Sequence, residues 1–298
     1  MSKKFAVILI ILANTIWGGS FLFSKIAMDY ADPVMLLSLR FIIALLSMVL
    51  MSLIFHKKRE FQLHYKGKNL KPLIITSLFQ PVAYFYFEAA GIKATSAVIS
   101  SVTIAMVPII AIFLESYAAK AKVPADKLFF SVVSVVGVGL VSLSGQSEEK
   151  TSLAGILFLV LAVISAVGFN YTSQKSAADF TVFERTFFMF FMGAAFYTGV
   201  AVVAYFGNWG AFLEPFTHVE FNFAVFYLGV LSSVVAFYFA NYALTKLSVS
   251  ETTIFNTIIT VVGVVGGVTL LHEPLSLLKL LGCIVIIFGL IGFNRQTA

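Results

Sequence analysis

Phe5–Ser24 reads FAVILIILANTIWGGSFLFS, a run without a single charged side chain. A helix rises about 1.5 Å per residue, so roughly 20 apolar residues cross the hydrocarbon core of a bilayer. Lys3 and Lys4 precede the run and give it a passing likeness to a secretory leader. No small-x-small cleavage site follows, however, and the apolar stretch continues beyond Trp17 to Phe23. It reads as an uncleaved membrane-spanning helix.

The same kind of run recurs along the chain. Ala94–Leu114, Leu128–Ser147, Thr151–Gln174, Thr186–Leu213, Phe221–Thr245 and Thr252–Leu271 are free of charge. Pro33–Phe55 carries Arg40, Leu70–Ile92 carries Glu88, and Ser276–Phe293 carries Lys279 near its start. The fold expected is an all-α integral membrane protein of ten spans, since no two-residue alternation suggests a barrel. Asp32-Pro33, Pro124 and Pro274 punctuate span starts. Composition agrees: 60% of residues are hydrophobic and 11% charged, with mean hydropathy +0.98. A soluble domain needs about 25% charged residues to cover its surface.

The net charge of +6 does not indicate nucleic acid as a partner, because the basic residues sit in short runs between spans. They set orientation instead. One side receives Lys3, Lys4, Lys57, Lys58, Arg59, Lys66, Lys68, Lys71, Lys120, Lys122, Lys127, Lys175, Arg185, Lys246 and Arg295; the other receives Lys25, Lys93, Lys150 and Lys279. The bias places both termini in the cytoplasm, in a multi-pass protein of the cell membrane. Cys283, the one cysteine, lies in an apolar run and forms no intrachain disulfide.

Gly145-Gln146-Ser147-Glu148-Glu149-Lys150 is a polar hinge with five spans on either side. It divides the chain into repeats at 1–147 and 151–298. An odd number of spans per repeat makes duplicated halves inverted relative to each other, an arrangement used by alternating-access carriers. Gly18 and Lys25 recur as Gly168 and Lys175, and Tyr84-Phe85-Tyr86 with Lys93 echoes Phe237-Tyr238-Phe239 with Lys246.

A family pattern runs through these spans. Trp17-Gly18-Gly19-Ser20-Phe21, Arg40-Phe41-Ile42-Ile43-Ala44, Ala90-Gly91-Ile92-Lys93-Ala94-Thr95-Ser96-Ala97 and Pro108 mark the first half. Ala243-Leu244, His272-Glu273-Pro274-Leu275-Ser276, Gly282 and Gly289 mark the second. In this order they resemble the EamA-type ten-helix members of the drug/metabolite transporter superfamily, over about Phe5–Leu143 and Ala154–Phe293. The chain departs at Lys120-Ala121-Lys122-Val123-Pro124, where the family often has a Gly-Glu-x-Leu/Ile element. The resemblance implies a secondary transporter of two inverted five-helix repeats that exports or exchanges small organic metabolites such as amino acids, amines or related compounds. Its partners would be the small-molecule substrate, the lipid bilayer and protons, in a monomer or weak homodimer without cofactor.

Within the spans, ionisable and polar side chains are the candidates for function. An ionisable group at mid-span costs about 2.5–3.5 kcal/mol to insert and faces protein or a wet cavity. Glu88 lies in the outer third of its helix, and Arg40 lies about 10 Å into the second, at similar depth. Three readings stand: a static Arg40–Glu88 ion pair, a Glu88 that binds a cationic or amino group or takes up a proton, and incidental snorkelling. Asn14, Trp17 and Ser20 form a polar stripe on the first helix, and Asn170, Tyr171 and Gln174 on the sixth. Such groups serve either as specificity elements or as links between helices. Ser101 before Pro108, and Asn256 and Thr260 before Gly263, mark the fourth and ninth helices. Tyr84 and Tyr238 bring hydroxyls that need partners in the membrane. Asn14, Glu88, Asn170 and Asn256 are expected to share one polar chamber. Lys25, Lys175, Glu115 and Glu273 sit at helix ends and read as anchors or local caps.

Enzyme signatures are absent from the sequence. It contains no phosphate-binding Gly-x-x-x-x-Gly-Lys-Ser/Thr loop, and its four histidines lack metal-ligand spacing. An importer or nucleotide-sugar carrier stands as the alternative within transport. A membrane scaffold, receptor subunit or membrane-embedded enzyme is the alternative outside it.

Overall fold

The computed structural model describes residues 3–118, 120, 122–144, 152–244, 246–247 and 254–295. Among these, regular structure is entirely helical. The principal helices are α1 (Lys3–Met28), α2 (Pro33–Ile54), α3 (Lys71–Ala94), α4 (Ala97–Leu114) and α5 (Ala125–Ser144). They continue with α6 (Leu153–Ser176), α7 (Val182–Ala204), α8 (Val219–Ala240), α9 (Thr257–Leu270) and α10 (Leu277–Arg295). Among the described residues, seven helices are long and apolar enough to cross a membrane: α1 to α4 and α6 to α8. The chain is thus an all-α, multi-spanning membrane protein. The polar hinge at 145–150 lies outside the described residues.

Local chemistry sets the helix starts. Asp32 Oδ1 accepts from the Val34 and Met35 N–H groups at 2.7 and 3.1 Å, with Pro33 at the first helical position of α2. Thr181 and Glu184 form a reciprocal capping box on α7. Leu46, Leu50 and Leu53 of α2, and Ile284, Phe288 and Ile291 of α10, leave apolar stripes exposed. Lipid satisfies such stripes where water would not.

Small residues let the backbones meet, as in other membrane bundles. A Cβ added at Gly18 of α1 would come within 2.8 Å of the Ile259 carbonyl oxygen on α9. One at Gly263 would lie 2.4 Å from Ser101 Cβ on α4. The pairings follow a pattern: α1 packs on α9 as α6 does on α4, α3 on α6 as α8 on α1, and α2 on α8 as α7 on α3. The pairs α2–α7, α4–α9 and α5–α10 each map onto themselves when every helix is advanced by five, whereas α1–α3, α1–α4 and α2–α3 have no counterpart among the principal contacts of the described residues.

Two helices are irregular at mid-length. α3 is broken at Leu78–Ala83, where Gln80 leaves the helical region (φ −147°, ψ 116°) ahead of Pro81. α8 widens into π-type turns over Tyr227–Val235. The Tyr197 hydroxyl of α7 donates to the Val82 carbonyl in the α3 break, supplying a partner that lipid would not. The Tyr197 ring stacks on Phe41 of α2, with centroids 5.8 Å apart.

Candidate functional site

The α2 start at Pro33 carries Arg40 two turns inward, where it is 4% exposed. Its Nε donates to Ser233 Oγ at 3.2 Å and its Nη2 to Ser232 Oγ at 3.3 Å. Both serines belong to the widened segment of α8, and the Ser233 hydroxyl also donates to the Leu228 carbonyl five residues back. The guanidinium carbon lies 4.3 Å from the centroid of the Phe85 ring. The Ser232 carbonyl accepts from Trp17 Nε1 at 3.1 Å, which draws α1 into the same cluster.

Glu88 is 6% exposed and accepts from the Tyr84 hydroxyl, one turn earlier, at 2.7 Å. The Arg40–Glu88 ion pair open on the sequence is not a direct contact here. The arginine is held by serines and the glutamate by a tyrosine.

Two adjoining cavities open near the lysine-rich 55–71 segment. The larger, about 300 Å³, lies among Met48, Met51, Glu60, Phe61, Thr181, Phe183, Val234, Phe237, Tyr238 and Tyr242. The smaller, about 150 Å³, lies among Leu73, Thr76, Ser77, Phe169, Ser173, Arg185 and Met189. Val182, Thr186 and Phe237 belong to both. Phe237 meets Trp17 edge-on at 5.3 Å and Phe190 at 6.2 Å. Val234, on the chamber wall, directly follows Ser233.

The 55–71 segment is fastened to α7. Glu184, fully buried, accepts from His64 N and Thr181 N, each at 2.8 Å, and from Lys68 Nζ at 3.3 Å. The Tyr65 hydroxyl donates to the Glu184 carbonyl; burial beside this carboxylate raises its pKa well above the usual tyrosine value.

At the opposite face the helices close on each other. Lys25 Nζ donates to the Ile92 and Thr95 carbonyls at 3.2 and 3.0 Å. Tyr205 donates to Asp32 Oδ2, and the Tyr30 and His218 rings lie 4.5 Å apart. The Glu273 carboxylate accepts from the first backbone N–H groups of α4.

The sequence candidates divide unevenly over this frame. Trp17, Ser20, Tyr84, Glu88 and Arg40 lie around the core where α1, α2, α3 and α8 meet, with the Ser20 hydroxyl donating to the Trp17 carbonyl at 2.6 Å. Among the candidates, Tyr238 lines the larger cavity. Asn14 is fully buried and, among the described residues, neither end of its amide has a partner, nor does the buried Thr260 hydroxyl. Ser101 donates to the Val98 carbonyl at 3.0 Å, and Asn256 is half-buried. Asn170 and Tyr171 are exposed, and the Gln174 side chain lies outside the described residues, as does that of Glu115. None of Asn14, Glu88, Asn170 and Asn256 lines either of the two cavities described above. Helical spacing places residues on a common face, and only packing determines where that face points.

Sequence reasoning missed Ser232, Ser233, Tyr197 and Glu184. The Thr181-x-x-Glu184 pattern was a legible capping signal, and the Ser232-Ser233 pair stands out in an otherwise apolar run. Nothing in the sequence tied either serine to Arg40.

Comparison with known proteins supplies the family. The EamA-like transporter family profile matches residues 4–143 and again residues 153–295. A protein of Bacillus subtilis described as the uncharacterized transporter YcxC is 31% identical over 292 residues, covering 97% of this chain and 92% of that one. An uncharacterized transporter of Archaeoglobus fulgidus is 26% identical over 287 residues, covering 95% and 94%. One solved crystal structure shares the fold across 99% of both chains, with a TM-score of 0.63 at 16% identity.

Proposed function

This chain belongs to the EamA-like transporter family and is a secondary membrane transporter, not an enzyme; from that premise we propose that it exports or exchanges small organic metabolites, amino acids or amines among them, by alternating access. In this reading ten spans form two inverted five-helix repeats, 1–147 and 151–298. Support comes from a family profile that matches each half separately and from helix pairings that recur five helices on. The lysine-rich face is cytoplasmic and holds both termini.

The observation that carries the proposal is an asymmetry between matching residues. Lys25 and Lys175 occupy corresponding places at the ends of α1 and α6. Lys25 bridges to the end of α3, whereas Lys175 lies over the Tyr171 ring of its own helix at 4.3 Å. α6 and α8, the counterparts of α1 and α3, instead line the smaller cavity. One face is fastened and the other is open, which corresponds to an inward-facing carrier. Glu88 is the group proposed to couple a proton, and the aromatic chamber suits a substrate with an apolar body.

Counterflow into proteoliposomes, screened with amino acids, amines and nucleotide sugars, tests the reading. Accelerated uptake of an amino acid or amine is expected. Acceleration by nucleotide sugars alone would redirect the substrate class, and no counterflow with any class would overturn transport of these metabolites.

A further inference from the structure

Arg185 projects from the first turn of α7 into the smaller cavity. Its Nη1 is committed: it donates to the Ser173 carbonyl at 3.1 Å and to Ser173 Oγ at 3.0 Å. Its Nε is buried and has no partner among the described residues. Nε and Nη2 form one edge of the planar guanidinium, two parallel donors whose spacing matches the two oxygens of a carboxylate. That edge is unused, and a buried donor left unmade is costly. An arginine serving only to anchor a helix end would reach for lipid headgroups, but this one faces inward, among the hydroxyls of Thr76, Ser77, Ser173 and Thr186.

Among the described residues no carboxylate compensates it. The adjacent Glu184 is taken by His64, Thr181 and Lys68. The cavity therefore offers a fixed positive charge, an open donor pair and small hydroxyls, and it adjoins the larger aromatic chamber, with Val182, Thr186 and Phe237 lining both. A ligand spanning the two would set its apolar body against the aromatic rings of the larger and its acidic group beside Arg185.

We infer that Arg185 is the carboxylate-binding residue of the open chamber, and that the ligand is an organic carboxylate with an apolar or aromatic body. This rests on the chamber being the transport chamber, as proposed above. It narrows the substrate class toward acids and amino acids, and away from simple amines.

The test uses the purified full-length protein in detergent and three probes of one shape: 3-phenylpropionate, 3-phenylpropanol and 3-phenylpropylamine. Binding is read by tryptophan fluorescence, Trp17 lying against Phe237 of the chamber. The carboxylate is expected to bind tighter than the alcohol, and Arg185→Gln to weaken it by about tenfold to a hundredfold, the worth of a charge-assisted pair. Alcohol binding should be unchanged in that variant, which also reports an intact fold. Arg185→Lys, with the charge but not the fork, should recover only part of the loss. Equal binding of carboxylate and alcohol, tighter binding of the amine, or an Arg185→Gln protein that keeps the carboxylate would each overturn the inference. Counterflow separates the two proposals. Arg185-dependent carboxylate binding without counterflow leaves the site standing and removes the transport reading. Counterflow of amines indifferent to Arg185→Gln does the reverse.

Discussion

Glu273, in the turn after α9, holds the beginning of α4: its Oε1 accepts from the Ala97 N–H at 2.7 Å and its Oε2 from the Val98 N–H at 3.1 Å. The first N–H groups of a helix have no partner within it, and in a membrane water does not fill the gap. A carboxylate there satisfies two donors at once and opposes the positive end of the helix dipole. The contact joins the two halves of the chain at the closed face.

Glu273→Ala leaves both donors buried and unmade, so it is expected to destabilise the protein by about 2–4 kcal/mol. Glu273→Gln, which retains one acceptor oxygen, should lie between. Thermal unfolding in detergent, with wild type alongside, checks the order; an alanine variant as stable as wild type would contradict the cap.

Glu88→Gln is expected to abolish proton-coupled uptake while the protein purifies and unfolds like wild type. The amide keeps the size of the group and the Tyr84 contact but takes up no proton. Uptake and its pH dependence, measured in proteoliposomes, decide it; an unaltered profile removes Glu88 from the mechanism.

Lys25→Met keeps the stem of the side chain and deletes the donors to the Ile92 and Thr95 carbonyls. The closed face should then open more often. In a Cys283→Ala background, a cysteine placed at Thr95, itself buried, should react faster with an impermeant maleimide added outside. Equal rates with and without Lys25 would show that the fastening lies elsewhere.

Gly263→Val puts a Cβ where Ser101 Cβ stands 2.4 Å away. Overpacking of this kind costs about 1–3 kcal/mol, and here it wedges α4 from α9. A lower unfolding temperature and a broader gel-filtration peak are expected, with partial recovery in the double variant Gly263→Val/Ser101→Gly.

Tyr205, just past the end of α7, has its pKa raised above the ordinary tyrosine value of about 10 by burial and by the Asp32 carboxylate it donates to. A raised value means the folded protein holds the proton more tightly. The contribution is thus complete below about pH 10 and fades only as pH climbs through the higher folded value. Tyr205→Phe should therefore lower stability by about 1 kcal/mol, equally at pH 6 and pH 9. A loss that shrinks between those two values would put the hydroxyl in a different environment.

What the sequence determined by itself was everything the bilayer imposes locally. Runs such as Phe5–Ser24 fix where the chain must be helical, because hydrocarbon leaves each backbone group to be satisfied within its own segment. Charges as rare as Arg40 and Glu88 declare themselves for the same reason, since lipid does not host them. The tertiary structure decided who meets whom. Arg40 finds Ser232 and Ser233 across 192 and 193 residues, Glu273 reaches Ala97 across 176, and Asn170 ends up exposed where a shared chamber was expected. Hydropathy measures depth in the membrane and periodicity measures relative angle, but neither sets the rotation of one helix against another. That rotation comes from close-packed contacts such as Gly263 on Ser101, made between segments far apart in the chain.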